Sequence, residues 1–458
     1  MDAACRPSVG YLSYADRPGS NNGKATGSFK TDAFTEQANY YKTPNGNILQ
    51  PTGWDTSVVR TDFPWSVTGY EASPLERIVE QGASGIAWQP KIATQSASGH
   101  TVKTEYGLNV TADAVKWWIV NPSDSTELVF YATYPKGTLH KKILMDENWV
   151  SGRSGTIEEF TNREGVLVLK RYWKTETDPI DTHYIYDVYG DLIYVLSAGI
   201  QTQPLSLSGV LFDQYVYAYR YDNKRRMTQK KLPGKGWEYI VYNEADQPIM
   251  TQDAVQRAKS PQQWGYTKYD NFGRIVETGI LTATYSNQAA AQAAADLHAR
   301  NTQKNWEERT VDTNPTSPTG FTRYTNQSFP VANLSPRMVN YYDDHKFEGA
   351  NTVGLGLSGL TYENRNKTLT TGIKVFKEDG TAPLLTINYY DSRSRLIQSV
   401  SQNHLGGTDR ITNTYTFVGE LETSTHVHTA NGLTTTTVTT NEYDHVGRLS
   451  ATRHKVNG

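Results

Sequence analysis

The sequence predicts an all-β, mainly antiparallel fold in which β-hairpins stack side by side, and three observations lead to this prediction. A tyrosine–aspartate pair recurs along the chain, and glycine follows the aspartate at a fixed distance in the clearest copies. Successive copies are mostly about 20–35 residues apart, which is room for two short strands and two turns. The 458 residues include 30 tyrosines but only 37% apolar residues, and a sheet faced with Tyr, Thr and Val needs fewer aliphatic residues than a compact core does.

The recurring signature has three strong copies and four weaker ones. The strong copies contain Tyr186, Asp187 and Gly190; Tyr269, Asp270, Gly273 and Arg274; and Tyr443, Asp444, Gly447 and Arg448. The weaker copies contain Tyr221 and Asp222, Tyr242 and Asn243, Tyr390 and Asp391, and Tyr415. Because neighbouring repeats of this length supply one another's buried surface, the signature predicts an array of hairpins and not a catalytic domain.

The copy at residues 269–275 shows how one unit is expected to fold. Tyr269 ends a strand and covers an apolar face with its ring. Asp270 favours a turn, because its carboxylate can accept hydrogen bonds from the backbone amides just ahead, and it can also pair with an arginine. Gly273 supplies the positive φ that closes the hairpin. The alternation of a strand then predicts that Arg274 faces outward and that Ile275 returns to the apolar side.

A single alanine-rich helix is predicted to interrupt the hairpins near residues 287–306. This stretch is dense in strong helix formers, and Ser286 or Asn287 can cap its first turn. Since its apolar stripe is mostly alanine, we expect the helix to lie against the sheet as a brace. Residues 73–82 fit a short helix or a strand equally well, because propensity does not separate the two over so few positions.

Charge and hydropathy exclude several classes of protein. The 45 basic and 47 acidic residues nearly balance and form no basic block, so the sequence disfavours nucleic-acid binding. No run of 18 apolar residues exists, which predicts that no transmembrane segment is present. The first residues lack the apolar core of a signal peptide. Cys5 is the single cysteine, so a disulfide within the chain is impossible.

Four further stretches extend the likeness beyond the tyrosine–aspartate pair, and together with it they span most of residues 70–450. They are residues 72–85, 182–196, 232–239 with 253–257, and 403–410. With the repeats, these stretches resemble the N-terminal portion of the rearrangement-hotspot (Rhs) or YD-repeat family, in its Bacteroidetes-type polymorphic-toxin branch. The resemblance implies a YD-repeat spiral sheet or partial shell. On this basis residues 1–175 are expected to form a β-rich cap domain and residues 176–458 a YD-repeat wall with a helical insertion at about 286–310.

The resemblance also implies a function. In such toxins, which act in bacterial competition, the shell encloses a C-terminal effector. We therefore expect a non-enzymatic structural module that is secreted or displayed at the cell surface. Its expected partners are the C-terminal remainder of the shell and its toxin cargo, and the native polypeptide is expected to be longer. The tyrosine, aspartate and glycine of each strong copy, nine residues in all, are expected to shape the wall. No cofactor is expected.

Two other functions compete with this expectation. The alternative is a cell-surface adhesion module that binds carbohydrate or protein through exposed aromatic side chains, since the chain holds 10 tryptophans. An enzyme is disfavoured, because the sequence has neither a nucleophile elbow nor a phosphate-binding loop. His426 and His428 share one face of a predicted strand, and His404 is a third candidate. Zinc needs three or four ligands, and the sequence suggests no acidic partner in register, so the sequence predicts no metal site.

Overall fold

We analysed a computed structural model of the chain. It describes residues 6, 8–13, 33–42, 60–200, 204–310, 322–347, 355–360, 366–380, 382–444 and 447–457. Cys5 lies outside these residues. Contacts divide the chain into two compact units, one of Met1–Ala218 with Leu232–Gly234 and one of Tyr219–Lys231 with Lys235–Gly458. The sequence places its domain boundary at residues 175–176, and that division stays a prediction.

The first unit contains a meandering antiparallel sheet and a smaller one. Its elements are β1 (Val9–Tyr11), α1 (Ala33–Tyr41), β2 (Trp65–Tyr70), β3 (Ile78–Gly82), β4 (Val102–Leu108), β5 (Lys116–Asn121), β6 (Asp124–Thr133), β7 (His140–Met145), β8 (Ile157–Thr161), β9 (Leu167–Trp173), β10 (Pro179–Tyr186), β11 (Leu192–Leu196), β12 (Leu205–Ser206) and α2 (Val210–Tyr215). The next strand, β13 (Val216–Tyr221), spans the division between the units. Strands β1 to β4 and β7 to β11 pair in chain order, while β12, β6 and β5 form a separate three-stranded sheet.

The second unit is a ladder in which each strand pairs antiparallel with the next strand along the chain. Its elements are β14 (Met227–Lys231), β15 (Glu238–Tyr242), β16 (Pro248–Gln252), α3 (Ala254–Ala258), β17 (Gln263–Tyr269), β18 (Ile275–Thr282), α4 (Gln288–Thr302), β19 (Leu334–Tyr342), β20 (Thr370–Val375), β21 (Leu384–Tyr390), β22 (Leu396–Gln402), β23 (Thr408–Tyr415), β24 (Leu421–Ala430), β25 (Leu433–Tyr443) and β26 (Leu449–Asn457). The all-β, mainly antiparallel prediction is therefore confirmed.

Helix α4 braces this ladder, as the sequence predicts. Asn287 caps its first turn by accepting a hydrogen bond from the Ala290 amide, and Gln303 ends it in the left-handed conformation with φ 55°. Its buried residues are Gln288, Ala291, Ala295 and Ala299. The Gln292 side chain joins the helix to β15, because it accepts from the Tyr242 amide at 2.9 Å and donates to the Tyr242 carbonyl at 2.8 Å.

Of residues 73–82, which the sequence leaves open between helix and strand, 78–82 form a strand and 73–77 lie in the turn before it. β3 begins at Ile78, and Glu76 just before it has a φ of 53°, which a right-handed helix excludes. No helix in the described part of the chain is long and apolar enough to cross a membrane.

Candidate functional site

The tyrosine–aspartate repeats form hairpin turns of one geometry, which the copy at Asp270 illustrates. The Asp270 carboxylate accepts hydrogen bonds from the amides of Phe272 and Arg274, both at 2.9 Å. The Gly273 amide donates to the Asp270 carbonyl, and Gly273 has a φ of 78°. The strand register then shifts by one residue beside Tyr269, so the turn ends in a β-bulge. Asp270 and Gly273 thus lie at the turn positions that the sequence analysis assigns to them.

The other copies repeat this turn with few changes. The carboxylates of Asp187, Asp222, Asp391 and Asp444, and the side-chain amide oxygen of Asn243, each accept from the backbone amide four residues ahead. Gly190 and Gly447 take positive φ at the position that Gly273 occupies. Arg225, Asp246 and Ser394 take it too, with φ between 60° and 62°, so this position demands a conformation and not glycine itself.

An ion pair closes four of these turns. The Arg274 Nε lies 2.7 Å from an Asp270 oxygen, and the pairs Arg226–Asp222, Arg395–Asp391 and Arg448–Asp444 have the same spacing along the chain. Burial raises the pKa of Asp391, but hydrogen bonds from the backbone and side chain of Arg395 outweigh it, so the pKa lies below its ordinary value. Such a carboxylate stays ionised near neutral pH.

Three of these four arginines also reach the next hairpin. The guanidinium of Arg226 lies 4.7 Å from the ring centre of Tyr242, and the pairs Arg274–Tyr342 and Arg395–Tyr415 are 4.3 and 4.7 Å apart. Arg274 also holds both carboxylate oxygens of Asp343 in that hairpin, at 3.0 and 2.8 Å. The expectation that Arg274 faces outward and Ile275 inward is wrong. The bulge interrupts the alternation of side chains between the two faces of the sheet. As a result, the Arg274 side chain is only 22% exposed, whereas Ile275 is 39% exposed.

Six of the repeat tyrosines, together with Tyr342, hold consecutive hairpins together through their hydroxyl groups, a role that was not predicted from the sequence. Each hydroxyl donates to a backbone carbonyl just after the turn of the preceding hairpin. The pairs are Tyr186–Leu167, Tyr242–Met227, Tyr269–Pro248, Tyr342–Ile275, Tyr390–Thr370, Tyr415–Leu396 and Tyr443–Leu421, all between 2.8 and 3.0 Å.

An asparagine two residues before the tyrosine reinforces four of these contacts. Asn340, Asn388, Asn413 and Asn441 donate to the same carbonyls as Tyr342, Tyr390, Tyr415 and Tyr443, at 3.0–3.1 Å. The backbone pairs between β20 and β21 end at Gly372 with Ile387. The Thr370 carbonyl lies beyond this last pair, so side chains of β21 donate to it in place of a backbone amide. For these four tyrosines, the asparagine two positions earlier is a signal that the sequence contains.

A divergent copy of the turn lies in the first unit and is not predicted from the sequence. Glu71 replaces the aspartate of the turn between β2 and β3, and its oxygens accept from Arg77 at 2.8 and 2.7 Å. The Arg77 guanidinium lies 4.2 Å from the Tyr106 ring centre, and the Tyr106 hydroxyl donates to the Ile78 carbonyl at 3.2 Å. A longer loop between Glu71 and Arg77 hides this copy from a search for fixed spacing.

Replacing Gly273 by valine is expected to cost about 1–3 kcal/mol of unfolding free energy, because a β-branched residue rarely adopts positive φ. An added Cβ would approach only the end of the flexible Gln247 side chain, at 3.0 Å, so conformation and not space sets the cost. Gly273→Asn is the control and should lose less, since asparagine tolerates this conformation. Thermal unfolding measures both, and an unchanged midpoint in the valine variant would contradict the assignment of the turn.

The double variant Asn388→Ala/Tyr390→Phe is expected to lose more stability than its two single variants together. Each single change leaves one donor on the Thr370 carbonyl and should cost about 0.5–1.5 kcal/mol. The double change leaves this carbonyl without either donor, so urea unfolding should reveal a coupling between the two sites. Tyr189→Phe, at a tyrosine that is 74% exposed, is the control. Strict additivity would show that the two donors do not act on one carbonyl.

The prediction that His426 and His428 lack an acidic partner in register is wrong. Asp409 on β23 lies directly opposite His428 on β24. One Asp409 oxygen is 2.9 Å from His426 Nε2 and 2.6 Å from His428 Nδ1. His404, in the turn between β22 and β23, is not a member of this group. The pairing of Asp409 with His428 depends on strand register, which spacing along the chain does not reveal.

One family model matches the chain in part. It is described as a domain of unknown function, DUF6443, and matches residues 1–106. The matched range includes residues 72–85, which contribute to the family resemblance noted from the sequence. No protein of curated function matches the chain.

Two solved structures are similar to the chain at low identity. One is the crystal structure of TcdB2-TccC3-TEV, with 11% identity over 85% of this chain, and the other is that of TcdB2-TccC3 without its hypervariable C-terminal region, with 12% over 87%. The TM-score is 0.26 in both comparisons, a value too low to support an argument about function. The chain covers 20% of each of those structures' length.

Proposed function

We propose that this chain is a non-enzymatic structural module of an Rhs or YD-repeat polymorphic toxin, of the Bacteroidetes-type branch, whose hairpins wall in a C-terminal effector. One observation carries the proposal: tyrosine hydroxyl groups in successive repeats tie each hairpin to the one before it. A wall needs such links, because an isolated two-stranded hairpin is at best marginally stable in water. The matched domain at residues 1–106 is compatible with this family but has no assigned function.

The chemistry of the repeat favours a structural role over catalysis. The repeat carboxylates bind backbone amides and arginines within their own turns, as Asp270 does with Arg274. A general acid must hold a proton near neutral pH, whereas the ion pair at Asp391 lowers its pKa. Under the proposal, the module acts outside the producing cell or at its surface, and its partners are the rest of the shell and the toxin cargo.

Limited proteolysis of the full gene product tests this proposal. Any sequence encoded beyond Gly458 is expected to resist cleavage while the product is folded. The variant Asn388→Ala/Tyr390→Phe should expose that sequence sooner, because it removes both side-chain donors between two hairpins. Tyr189→Phe should leave the cleavage rate unchanged. A downstream segment cut as fast as in a denatured sample, or a gene product without such a segment, would overturn the proposal.

A cleft in the first unit favours carbohydrate binding as a second candidate function. The cleft has a volume of about 500 Å³ and is lined by Glu71, Val79, Glu80, Lys103, Thr104, Glu105, Tyr106, Met145 and Trp149. It combines aromatic rings with charged side chains, and sugars bind through both kinds of group. The Trp149 ring is partly exposed, with the Lys103 ammonium 5.6 Å from its centre.

A glycan array with the purified chain separates the two functions. Adhesion predicts saturable binding that Trp149→Ala abolishes, while Trp88→Ala, at an exposed tryptophan that does not line the cleft, leaves binding intact. If the purified chain binds no glycan on the array, carbohydrate binding is ruled out as its function, and the structural proposal is unaffected.

A further inference from the structure

The hairpin of β23 and β24 gathers two imidazoles and one carboxylate on one face of the sheet. His426 and His428 are two residues apart on β24, so strand alternation places both side chains on the same face. Asp409 is the register partner of His428 on β23 and therefore shares that face. The ligand atoms of the three residues all lie within 4.8 Å of one another.

We propose that Asp409, His426 and His428 form a binding site for a divalent transition-metal ion of the borderline class, such as Zn²⁺, Ni²⁺ or Cu²⁺. Imidazole nitrogen suits these ions, whereas Ca²⁺ and Mg²⁺ prefer sets of oxygen ligands. The three residues supply one oxygen, one Nε2 and one Nδ1, which is the number of protein ligands that an open zinc site uses. Among the residues that the structure describes, no other group of His, Cys, Asp and Glu has this arrangement.

The distances are compatible with this site. Around a tetrahedral ion with bonds of 2.0–2.1 Å, the ligand atoms are about 3.3 Å apart. The Asp409 oxygen is 2.9 Å from His426 Nε2 and 2.6 Å from His428 Nδ1, so shifts of less than about 1 Å would admit the ion. The side chains are 23%, 44% and 39% exposed for Asp409, His426 and His428, which leaves a path from solvent.

The place of this site in the ladder suggests what the ion does. Strands β24 and β25 contain one buried residue, Ala430, and most of β26 is exposed, so apolar burial stabilises this end of the ladder only weakly. An ion bound by β23 and β24 together would stabilise their pairing, because a ligand that binds only the folded state raises stability.

Calorimetric titration of the untagged, chelator-treated chain with ZnCl₂ tests the proposal. One Zn²⁺ per chain is expected to bind, and Ca²⁺ is not. Two variants should each weaken Zn²⁺ binding at least about 10-fold. One is Asp409→Asn, which keeps a hydrogen-bond acceptor but loses the charge, and the other is the double variant His426→Gln/His428→Gln. The control His404→Gln, at the exposed histidine in the adjacent turn, should bind like the wild type.

Two further measurements decide the outcome. Saturating Zn²⁺ should raise the thermal midpoint of the wild type by about 2–4 °C and leave the double variant unchanged. Electron paramagnetic resonance with Cu²⁺ should report two coordinating nitrogens in the wild type and one in His426→Gln, a readout that applies even if the double variant fails to fold. The proposal is overturned if the wild type does not bind Zn²⁺, or if Asp409→Asn and His426→Gln bind it as the wild type does. Equal binding would identify an adventitious ion only.

Discussion

Replacing Lys268 by methionine is expected to lower the free energy of unfolding by about 3–5 kcal/mol, because the change leaves a buried carboxylate without its counter-charge. Lys268 and Glu307 form an ion pair at 2.8 Å, with side chains only 1% and 0% exposed. Lys268 also donates to the Asn326 side chain at 2.6 Å and to the Ser328 carbonyl at 3.2 Å. Its loss therefore leaves several buried acceptors unsatisfied at once.

A second variant separates the charge from the packing. In Lys268→Met/Glu307→Gln neither charge remains, and the glutamine can still accept from the Ser328 amide and hydroxyl, which lie 3.0 and 2.6 Å from a Glu307 oxygen. Urea unfolding should show the double variant to be more stable than Lys268→Met alone. If the two variants are equally unstable, the cost arises from lost packing and not from an unpaired charge.

The same pair gives a pH dependence with a defined sign. Burial raises the pKa of Glu307, but the charge of Lys268 and hydrogen bonds from Lys268, Ser328 and Thr325 outweigh it, so the folded-state pKa lies below the ordinary value. The stabilisation is therefore complete above the unfolded-state pKa of about 4.3 and is lost as the pH falls through the folded-state pKa. The wild type should therefore lose stability as the pH falls through this range, whereas the double variant, which has no carboxylate at residue 307, should lack this contribution to the pH dependence.

Local patterns were sufficient to predict the architecture of the second unit. Strands β21 and β22 flank the turn of the copy with Tyr390 and Asp391, and β25 ends at the copy with Tyr443, so the repeat positions alone locate these strands. The cap of α4 at Asn287 also follows from a local preference. The helix stops at Thr302 and not near Trp306, since Gln303 takes a left-handed conformation that no composition rule indicates.

The parts that sequence could not predict depend on contacts between distant residues. Lys268 and Glu307 are 39 positions apart in the sequence, and only the folded chain brings the lysine and the carboxylate together. Asp409 meets His428 because of register, which is fixed by the whole hairpin and not by either residue. The hydrogen bond of Tyr390 is not predictable for a different reason: a ring that covers apolar surface already accounts for a tyrosine in a strand, whether or not its hydroxyl has a partner.

Replacing Trp264 by alanine is expected to cost about 3–5 kcal/mol of unfolding free energy, comparable with the loss of Lys268. Trp264 is fully buried in a cluster that includes Val241, Met250 and Leu281. The ring centre of Tyr285 lies 5.6 Å from its own in an edge-on arrangement, so the change removes an aromatic contact as well as apolar volume. The cavity would open beside α4, whose Ala291 belongs to the same cluster.

Trp264→Phe is the matched control, because it keeps an aromatic ring and removes the indole N–H. Among the described residues, no acceptor binds the buried Trp264 Nε1–H, so phenylalanine relieves an unsatisfied donor while it leaves a smaller cavity. Urea unfolding should therefore show a loss in the phenylalanine variant well below that of alanine. If the alanine and phenylalanine variants lose the same stability, the loss would come from the indole N–H and not from the volume of the ring. The N–H would then have to bind a partner in the folded chain, and packing alone would not explain the stability of the cluster.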